Sequence, residues 1–593
     1  MAKTKIVCTL GPATDNIETL TKLIDAGMDM ARLNFSHGNK EERDARIELL
    51  KKARAITGKN IPILLDTKGI KIRTGYVQGY SETNKKATIT LEKGKSVTFT
   101  CDSRNVAAGG LASTAEKIYI DYDELPGQIK VGQHIMLDDG LITTEVTTIN
   151  GQDIIAKIRN SGTIVSRRSV NLPGVRLTLD AVTDQDKQDI LYGLTKDIDF
   201  VALSFVKRMN DVVQARKFLD ANGGQHVMII SKIENQEGVE NLDEILAVSD
   251  GVMVARGDMA IEIPYNNVPA IQKQMIRKAL AARKTVITAT QMLHSMMKEP
   301  TPTRAEVSDI FNATQDSTSC IMLSGETANG DYPIEAVTVM NTVAQSGEKA
   351  VDYKERFLNN RLDANGHVTT SICHAAISTA YQVRAKAIIA YSESGLTAKR
   401  LSSLRPQMPV IVMSNNELVV RQCHALWGIT PINQVHINDV EDLYTNAMKI
   451  AKARGLIEDG DSIIVVAGSS VGVSGSTNAI RVMTLGDVIV RGISMSDSNV
   501  TSTIKVCKDL DDLQQLKPGQ IAALFRMDEE VMPHITSMGG ILLAGTDYDE
   551  HVMNYALGLG LPVIIDVQGL KMRLQDDMQV TMISSKGVVL RKN

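Results

Sequence analysis

The segment DTKGIKIRTG, residues 66–75, carries an acid followed by three cations within eight residues. The acid is Asp66, and the cations are Lys68, Lys71 and Arg73. In an extended backbone Lys71 and Arg73 point the same way, because side chains two apart share a face. Such a run is usually a solvated surface, but it can also hold anionic oxygens. The segment therefore raises the question of what the ammonium of Lys71 does.

Polar side chains also end a set of short apolar runs. Eight runs rich in β-branched residues alternate with helix-patterned stretches, at 5–11, 28–36, 61–69, 199–207, 227–234, 251–258, 285–291 and 319–327. Eight strands separated by helices predict a closed, parallel (β/α)₈ barrel. All strand ends would then gather on one face, where barrel enzymes place their chemistry. The polar residues there are Arg32, Asn34, Ser36, Asp66, Lys68, Lys207, Lys232, Glu234, Arg256, Asp258, Thr290 and Glu326.

Two carboxylates on neighbouring predicted strands, Glu234 and Asp258, suit a hard divalent cation. Mg²⁺ takes one or two protein carboxylates and leaves its other positions to water and substrate oxygens. The plainer alternative is a pair of interstrand salt bridges, with Lys232 and Arg256. Arginines predicted at the same barrel end favour the metal, because an acid pair within a cationic ring is what phosphoryl transfer needs.

The remaining chain predicts three further domains. Roughly 130 residues separate the third and fourth runs, far more than a helical crossover needs. Their Thr-, Val- and Ile-rich alternation predicts an all-β lid at 71–168, inserted into a barrel formed by 1–70 and 169–345. New strand–helix alternation predicts an open α/β domain at 346–485, and a small α/β or β-rich module follows at 486–593.

Composition excludes several classes of protein. Hydrophobic residues make up 43% and charged residues 23% of the 593 residues, which is typical of globular domains. The net charge of −4 predicts no general affinity for nucleic acid or anionic membranes. No apolar run reaches the roughly 18–20 residues that span a bilayer. Six scattered cysteines without a C-x-x-C pair, and a start without a signal-peptide pattern, indicate a reducing, cytoplasmic location.

Over residues 4 to about 485, the sequence resembles the pyruvate kinase family. The resemblance rests on motifs in matching order and spacing, namely RLNFSHG, DTKG, VNLPG, SKIENQEG, VMVARGD, TATQML, PTRAE and IMLSGETA. It implies an enzyme that makes pyruvate and ATP from phosphoenolpyruvate and ADP, with Mg²⁺ or Mn²⁺ as cofactor. It also implies a homotetramer.

The resemblance assigns a role to each group at the barrel rim. Phosphoryl transfer would use Lys232, Arg32, Arg73 and Thr290. The divalent metal would be bound by Glu234 and Asp258, and the substrate by Lys232, Gly257, Asp258 and Thr290. A monovalent cation would be bound by Asn34, Ser36, Asp66 and Thr67. The nucleotide would meet Arg32, Asn34, His37 and Lys207, and Asp139 would belong to the closing lid.

Some positions depart from the family pattern. Lys71 stands where most members have glutamate, and Ile70 replaces a proline. Met259–Ala260 replace Leu-Gly, His294 replaces a glutamate, and FNATQDS follows AEVSD. Members with lysine at the position of Lys71 generally do not need K⁺. We therefore expect Lys71 to substitute for the cation and K⁺ to be dispensable. Because the oxygen set for the ion is retained, the alternative is a Lys71 that points to solvent at the lid hinge while K⁺ still binds.

Two C-terminal features suggest ligands. SESGLTAKR, residues 392–400, offers Ser392, Ser394, Gly395 and Thr397 to an anion at a helix N-terminus, or is a plain helix cap. The family has a matching loop for the phosphate of an allosteric activator, which the stretch 467–478 would face. We expect this loop to bind a phosphorylated effector.

The tail from about 486 resembles the swivelling phosphohistidine module of phosphoenolpyruvate-utilising phosphotransferases, with His551 at the histidine position. Asp549 and Glu550 beside it would repel a phosphoryl group, so we interpret the module as structural or regulatory. The alternatives to a kinase are a phosphotransferase acting through His551 and a non-catalytic effector-binding protein.

Overall fold

The computed structural model describes residues 2–81, 83–102, 112–359, 367–433, 439–468 and 477–592. The chain forms two compact units. The first comprises Met1–Asn360, Ala398–Arg405 and Ser414–Asn433. The second comprises Arg361–Thr397, Pro406–Met413 and Gln434–Asn593. No helix in these described ranges is both long and apolar enough to cross a membrane. The four domain ranges given above stay predictions.

The first unit contains the predicted barrel. Its strands are β1 Lys5–Thr9, β2 Met28–Asn34, β3 Ile63–Asp66, β4 Phe200–Leu203, β5 Met228–Ile233, β6 Gly251–Ala255, β7 Thr285–Ala289 and β8 Cys320–Leu323. They pair in parallel as β1-β8-β7-β6-β5-β4-β3-β2 and close into a cylinder. The prediction of a closed (β/α)₈ barrel is confirmed.

Helices surround the barrel and bury their apolar faces against the outer side of its strands. Several begin at a side chain that caps the first turn, as at Asn39 and Thr303, which accept backbone N–H groups. The helices are Ile17–Ala26, Lys40–Thr57, Asp184–Leu194, Met209–Ala221, Gln236–Glu240, Leu242–Val248, Arg256–Glu262, Val268–Ala281, Arg304–Gln315, Gly325–Ala328, Pro333–Lys349 and Tyr353–Asn359.

The insertion between β3 and β4 is an all-β domain, as predicted, apart from the four-residue helix Leu125–Gln128. A two-stranded and a six-stranded sheet enclose its own core of alternating inward-facing residues. The strands are Thr88–Leu91, Ser96–Thr100, Lys117–Tyr119, His134–Leu137, Ile142–Asn150, Asp153–Ile158, Gly162–Val165 and Val170–Asn171.

The second unit contains two sheets. In the first sheet, the strand Ala387–Tyr391 pairs in parallel with Val410–Ser414 on one side and with Ser462–Gly468 on the other. The strand Thr477–Thr484 pairs antiparallel with Ser462–Gly468 and forms an edge of the sheet. This is the predicted open α/β arrangement. The helices of this α/β region are Val368–Gln382, Leu396–Ser403, Glu417–Cys423 and Val440–Ala453, and a further strand is Ile429–Asn433. Some of these elements belong to the first unit.

The last eight strands form a second sheet whose two edges are consecutive in the chain. They are Val488–Arg491, Ile493–Ser494, Asn499–Cys507, Ile521–Leu524, Gly540–Leu543, Val563–Ile565, Gln579–Ile583 and Val588–Arg591. Gly492 lies between the two edge strands, and a Cβ there would lie 2.4 Å from the carbonyl oxygen of Ile565. This close approach explains the glycine. Helices Leu510–Gln514, Glu550–Gly558 and Leu570–Arg573 flank the sheet.

A buried ion pair lies at the amino-terminal end of the barrel strands, opposite the predicted site. Asp199 precedes β4 and is fully buried. Arg421 donates from Nε to Asp199 Oδ1 over 2.8 Å, and the N–H of Ile63 donates to Oδ2 over 2.9 Å. Burial raises the pKa of Asp199, and the positive charge of Arg421 opposes this rise. The pair ties the segment Ser414–Asn433 to the barrel.

We predict that Asp199→Asn and Arg421→Met will each destabilise the protein by about 3 kcal/mol, because each leaves a buried partner without its counterpart. The double variant should lose less than the sum of the two. Calorimetry of thermal unfolding measures the loss of stability in the three variants. Turnover is the control that shows whether the opposite end of the barrel is intact. Strictly additive losses would contradict the coupling.

Candidate active site

The ammonium of Lys232 lies at the centre of the polar strand ends. Its Nζ lies 3.1 Å from Asp66 Oδ1 and 3.0 Å from Glu234 Oε1, and it donates to Ser204 Oγ over 2.8 Å. All four side chains are buried or nearly so. Burial alone would lower the pKa of Lys232, but the two carboxylates outweigh it and raise that pKa above its ordinary value. Lys232 is therefore a fixed positive charge.

Arg32 completes the charge balance around Asp66. Its Nε donates to Asp66 Oδ2 over 2.7 Å, and its NH1 donates to Thr9 Oγ1 over 2.8 Å. Burial would raise the pKa of Asp66, but Lys232 and Arg32 together hold it below its ordinary value. Arg32, Asp66 and Lys232 thus contact one another, although they come from three different strands, β2, β3 and β5.

Glu234 and Asp258 fit a divalent cation. Glu234 Oε2 accepts the N–H of Phe205 over 2.6 Å, and its buried Oε1 lies 3.0 Å from Lys232 Nζ. Within the described ranges, the carboxylate of Asp258 makes neither a hydrogen bond nor an ion pair. Burial, and then the charge of Asp258, raise the pKa of Glu234 despite Lys232. Two carboxylates that repel each other are a donor set for Mg²⁺ or Mn²⁺, and the bound cation would relieve their repulsion.

The described residues contain no group of three or more His, Cys, Asp or Glu side chains arranged around a metal position. A two-carboxylate site is compatible with that finding, because Mg²⁺ keeps several non-protein ligands. The alternative of two salt bridges holds only in part. Lys232 does pair with Glu234, but Arg256 turns to Asp309, at 2.7 Å.

Gly257 and Thr290 are neighbours at the barrel rim. The N–H of Gly257 donates to Thr290 Oγ1 over 2.8 Å, and that hydroxyl donates to the carbonyl of Ala289. Thr290 and Gln291 both have positive φ, at 71° and 54°, which is unusual for non-glycine residues. Two consecutive residues in this conformation turn the chain sharply at the end of β7 and direct the Thr290 hydroxyl to the rim.

The four residues expected to bind a monovalent cation come from adjacent strand ends. Asn34 and Asp66 face each other across β2 and β3. Asn34 Oδ1 accepts the N–H of Ser36 over 3.0 Å. The Thr67 carbonyl accepts from Ser204 Oγ over 2.7 Å. Both carboxylate oxygens of Asp66 already face a cation of the protein.

A cluster of cations surrounds His37. Burial and the charges of Lys71, Arg32, Arg73 and Lys68, in that order, lower the pKa of His37. The ammonium of Lys71 makes no hydrogen bond or ion pair with any residue that the structure describes. Arg73 NH1 donates to the carbonyl of Arg167 over 2.8 Å. Lys71 is therefore one of the positive charges concentrated on this side of the site.

A cavity of about 370 Å³ lies between the lid and the barrel rim. Lys71, Asp139, Asp258 and Lys207 contribute to its lining, together with apolar residues of the lid hinge. Asp139 has a φ of 53°, and its Oδ1 accepts from Ser169 Oγ over 2.6 Å.

Lys207 does not join the cations around His37. Its ammonium donates to the carbonyls of Leu177 and Leu179, over 3.1 and 2.7 Å. Burial lowers its pKa. Lys207 follows β4, and its side chain contacts the lid hinge on the cavity side of the site.

The predicted effector loop forms a tight turn before the helix Leu396–Ser403. Ser392 and Thr397 are buried, Ser394 is exposed, and Gly395 has a φ of 77°. Thr397 Oγ1 lies 2.7 Å from Thr477 Oγ1. Residues 469–476, most of the stretch expected to face the loop, lie outside the described residues.

His551 is exposed in the first turn of the helix Glu550–Gly558. The N–H groups of His551 and Val552 both donate to Asp549 Oδ1, over 2.8 and 3.2 Å. The helix N-terminus, where an incoming phosphate would be expected, is thus occupied by the protein's own carboxylate.

Sequence reasoning missed Ser204, Phe205 and Thr9. Ser204 and Phe205 lie within the run DFVALSFVK, yet a hydroxyl and a backbone N–H carry no charge that marks them. Thr9 at the end of β1 was equally visible as a polar strand end. Thr9 and Ser204 are uncharged polar residues at strand ends, like Asn34, Ser36 and Thr290, whereas no side-chain property indicates the N–H of Phe205.

Comparisons with known proteins agree with this geometry. A family model described as the pyruvate kinase barrel domain matches residues 1–337, and one described as the pyruvate kinase alpha/beta domain matches residues 370–483. A pyruvate kinase of Bacillus licheniformis is 38% identical over 594 residues, with 100% of this chain and 99% of the relative covered. One of Staphylococcus saprophyticus is 40% identical, with 99% of each chain covered.

A solved structure shows the same fold. The crystal structure of a pyruvate kinase from Cryptosporidium parvum aligns with a TM-score of 0.75 at 37% identity. The alignment covers 82% of this chain and 96% of the other. Since a family model spans more than half of the sequence and relatives match its full length, the chain belongs to the pyruvate kinase family.

Proposed function

We propose that this protein transfers the phosphoryl group of phosphoenolpyruvate to ADP, producing pyruvate and ATP. The observation that carries the proposal is the buried ammonium of Lys232, held 3.1 Å from Asp66 Oδ1 and 3.0 Å from Glu234 Oε1. A transferring phosphoryl group spreads negative charge over three oxygens, so catalysis depends on fixed positive charge and positioning. Family membership supports the same reaction.

Lys232, Arg32 and Arg73 would stabilise the phosphoryl group. Lys232 and Arg32 are held by buried carboxylate contacts, so they need little reorganisation during the reaction. Arg73 belongs to the lid hinge and is anchored through its own N–H to Asp121 and through its guanidinium to Arg167. The position of Arg73 therefore depends on the lid, unlike that of the other two.

Glu234 and Asp258 would bind Mg²⁺ or Mn²⁺. When bound, the metal supplies positive charge that neutralises substrate oxygens. The protein's own contribution is the N–H of Phe205, which fixes one oxygen of Glu234 and leaves the other available. Gly257, Asp258 and Thr290 would meet the substrate, with the Thr290 hydroxyl helping a proton to reach the enolate carbon.

His37, with Arg32 and Asn34, would face the nucleotide. The cations around His37 favour its neutral form and suit a polyphosphate. Lys207 would reach the nucleotide only by releasing two backbone carbonyls, so we assign it a lesser part. Family membership also supports a homotetramer and a cytoplasmic enzyme, and both stay predictions.

The two alternatives receive less support. A phosphotransferase acting through His551 would place a phosphoryl group where Asp549 already occupies the helix N-terminus, with like charge beside it. A non-catalytic effector-binding protein would have no need for a complete Lys232, Glu234 and Asp258 set.

We also propose that the loop at Ser392–Thr397 binds a phosphorylated activator. Gly395 in a left-handed conformation and the start of the helix at Leu396 direct backbone N–H groups to one side. Glu393, the acid of this loop, accepts a hydrogen bond from the hydroxyl of Tyr391. The loop therefore differs from the N-terminus at His551.

Lys232→Ala should lower kcat by more than a hundredfold, or over about 2.7 kcal/mol, because it removes the central positive charge. A coupled assay with phosphoenolpyruvate, ADP and Mg²⁺ measures it. The matched control is Lys5→Ala, which removes a buried lysine paired with Asp29 at the other end of the barrel. A Lys232 variant that keeps a tenth of the wild-type kcat would contradict the assigned role.

Activity without K⁺ should be substantial, with less than about a tenfold gain on adding K⁺, or roughly 1.4 kcal/mol. The unpaired ammonium of Lys71 already supplies positive charge on this side of the site. Lys71→Glu should create or strengthen a K⁺ requirement, while Lys86→Glu on the exposed lid surface should not. The assay uses a bulky ammonium counterion at constant ionic strength. Strict K⁺ dependence of the wild type would refute the substitution.

Ser394→Asp should abolish activation by phosphorylated metabolites while basal turnover survives, because it puts like charge at the proposed phosphate position. Ser394 is preferable to buried Thr397, whose replacement would disturb the contact with Thr477. Thr338→Asp, at an exposed helix position of the first unit, is the control. Unchanged activator affinity in the Ser394 variant would place the effector site elsewhere.

A further inference from the structure

Ser204 occupies a junction that none of the assigned roles explains. It is the first residue after β4 and is 1% exposed. Its Oγ donates to the carbonyl of Thr67 over 2.7 Å and accepts from Lys232 Nζ over 2.8 Å. A carbonyl and an ammonium each permit only one direction of hydrogen bonding, so the orientation of the hydroxyl is fixed. Its N–H donates to Thr67 Oγ1 over 3.1 Å, which ties the same two loops together again.

Close packing confines the Ser204 side chain. Gly69 has a φ of 63°, and a Cβ built on it would lie 2.6 Å from Ser204 Cβ. The N–H of Gly69 donates to the buried carboxylate of Asp186, so the glycine backbone is itself anchored. Ser204 therefore has little freedom to turn its hydroxyl away from Lys232.

The next residue directs a second donor into the site. Phe205 has a φ of 55°, a conformation that a bulky residue rarely adopts and that is disfavoured by roughly 1–3 kcal/mol. In this conformation its N–H points to Glu234 Oε2, at 2.6 Å. The Ser204–Phe205 turn thus contacts both Lys232 and Glu234 through consecutive residues.

The three N–H groups of Lys232 have three partners, Asp66, Glu234 and Ser204. Not all of these contacts can persist once a metal ion is bound. Glu234 Oε1 is also the oxygen available to a divalent cation. Once that oxygen is engaged elsewhere, Lys232 retains Asp66 and Ser204 and has one N–H for a phosphoryl oxygen. Two fixed contacts determine where that N–H points, whereas Asp66 alone would let the ammonium swing.

We infer that Ser204 is a positioning residue for Lys232, which orients its ammonium toward the transferring phosphoryl group. The inference rests on the proposed function, because it gives Ser204 a part in that reaction. Ser204 is not among the residues assigned above, and it is an uncharged group on which the orientation of the Lys232 ammonium depends. A purely structural role would instead affect only stability.

The test compares Ser204→Ala and Ser204→Cys with Ser319→Ala. Ser319 is a matched control, since it is also buried and its Oγ accepts from a buried cation, Arg405, over 2.9 Å at the other end of the barrel. Ser204→Ala should lower kcat by about 10- to 100-fold with a KM for phosphoenolpyruvate within about threefold of wild type. Ser204→Cys, which keeps a weak acceptor, should lie between. Ser319→Ala should lower the thermal midpoint but keep kcat.

Two readouts do not depend on turnover. Free Mn²⁺ measured by electron paramagnetic resonance should give the same affinity in the Ser204→Ala variant, since Phe205 and not Ser204 holds Glu234. A crystal structure of that variant should show Lys232 Nζ displaced by about 1 Å or more, or in two positions. If the alanine variant does not fold, the cysteine variant is assessed by the same measurements.

The inference is overturned if Ser204→Ala keeps kcat within threefold of wild type, or if its effect falls on KM alone. It is also overturned if Lys232 Nζ stays in place. A wild-type protein without phosphoenolpyruvate-dependent ATP formation would instead refute the proposed function. The two failures are therefore distinguishable in one set of assays.

Discussion

The site depends on one electrostatic constraint, the burial of a lysine ammonium between two carboxylates. Removing Lys232, Asp66 and Glu234 from water carries a large desolvation penalty, which only close pairing offsets. Arg32 adds a second cation, so two positive and two negative charges share a largely buried volume. Their neighbours lower the pKa of Asp66 and raise that of Lys232, which keeps both charged, whereas burial and Asp258 raise the pKa of Glu234. That exception marks the carboxylate that gains most from a metal ion.

The barrel satisfies this constraint because parallel strands deliver their ends to one rim. Arg32, Asp66 and Lys232 come from β2, β3 and β5, and no single strand could supply them at these distances. The rim also contains its strained backbone, with Phe205, Thr290 and Gln291 all at positive φ. Strain of this kind persists only where the surrounding structure determines the conformation. The apolar packing of the barrel wall, which is almost fully buried, provides that support.

Sequence predicted the parts of the molecule that follow from periodicity and charge. Eight apolar runs with polar ends were enough for the barrel, and two-residue alternation was enough for the lid. Charged groups at strand ends led to Lys232, Glu234 and Asp258. The backbone conformation of Phe205 could not be predicted, because nothing in its side chain favours a positive φ. Likewise, Arg256 is a charged strand end in sequence, but only three-dimensional packing against Asp309 shows that it leaves the site.

The contrast between two helix N-termini shows why a motif alone does not establish an anion site. At His551 the free N–H groups of the first turn are satisfied by Asp549, which is one residue before the helix. An anion arriving there would have to displace the carboxylate of Asp549. Because that carboxylate belongs to the same chain, its effective concentration at the helix N-terminus is high. At Leu396 the preceding residues are Ser394 and Gly395, which are uncharged, and Gly395 has a left-handed conformation. The helix dipole is the same in both cases, so the residue before the helix decides whether the positive end is available to a ligand.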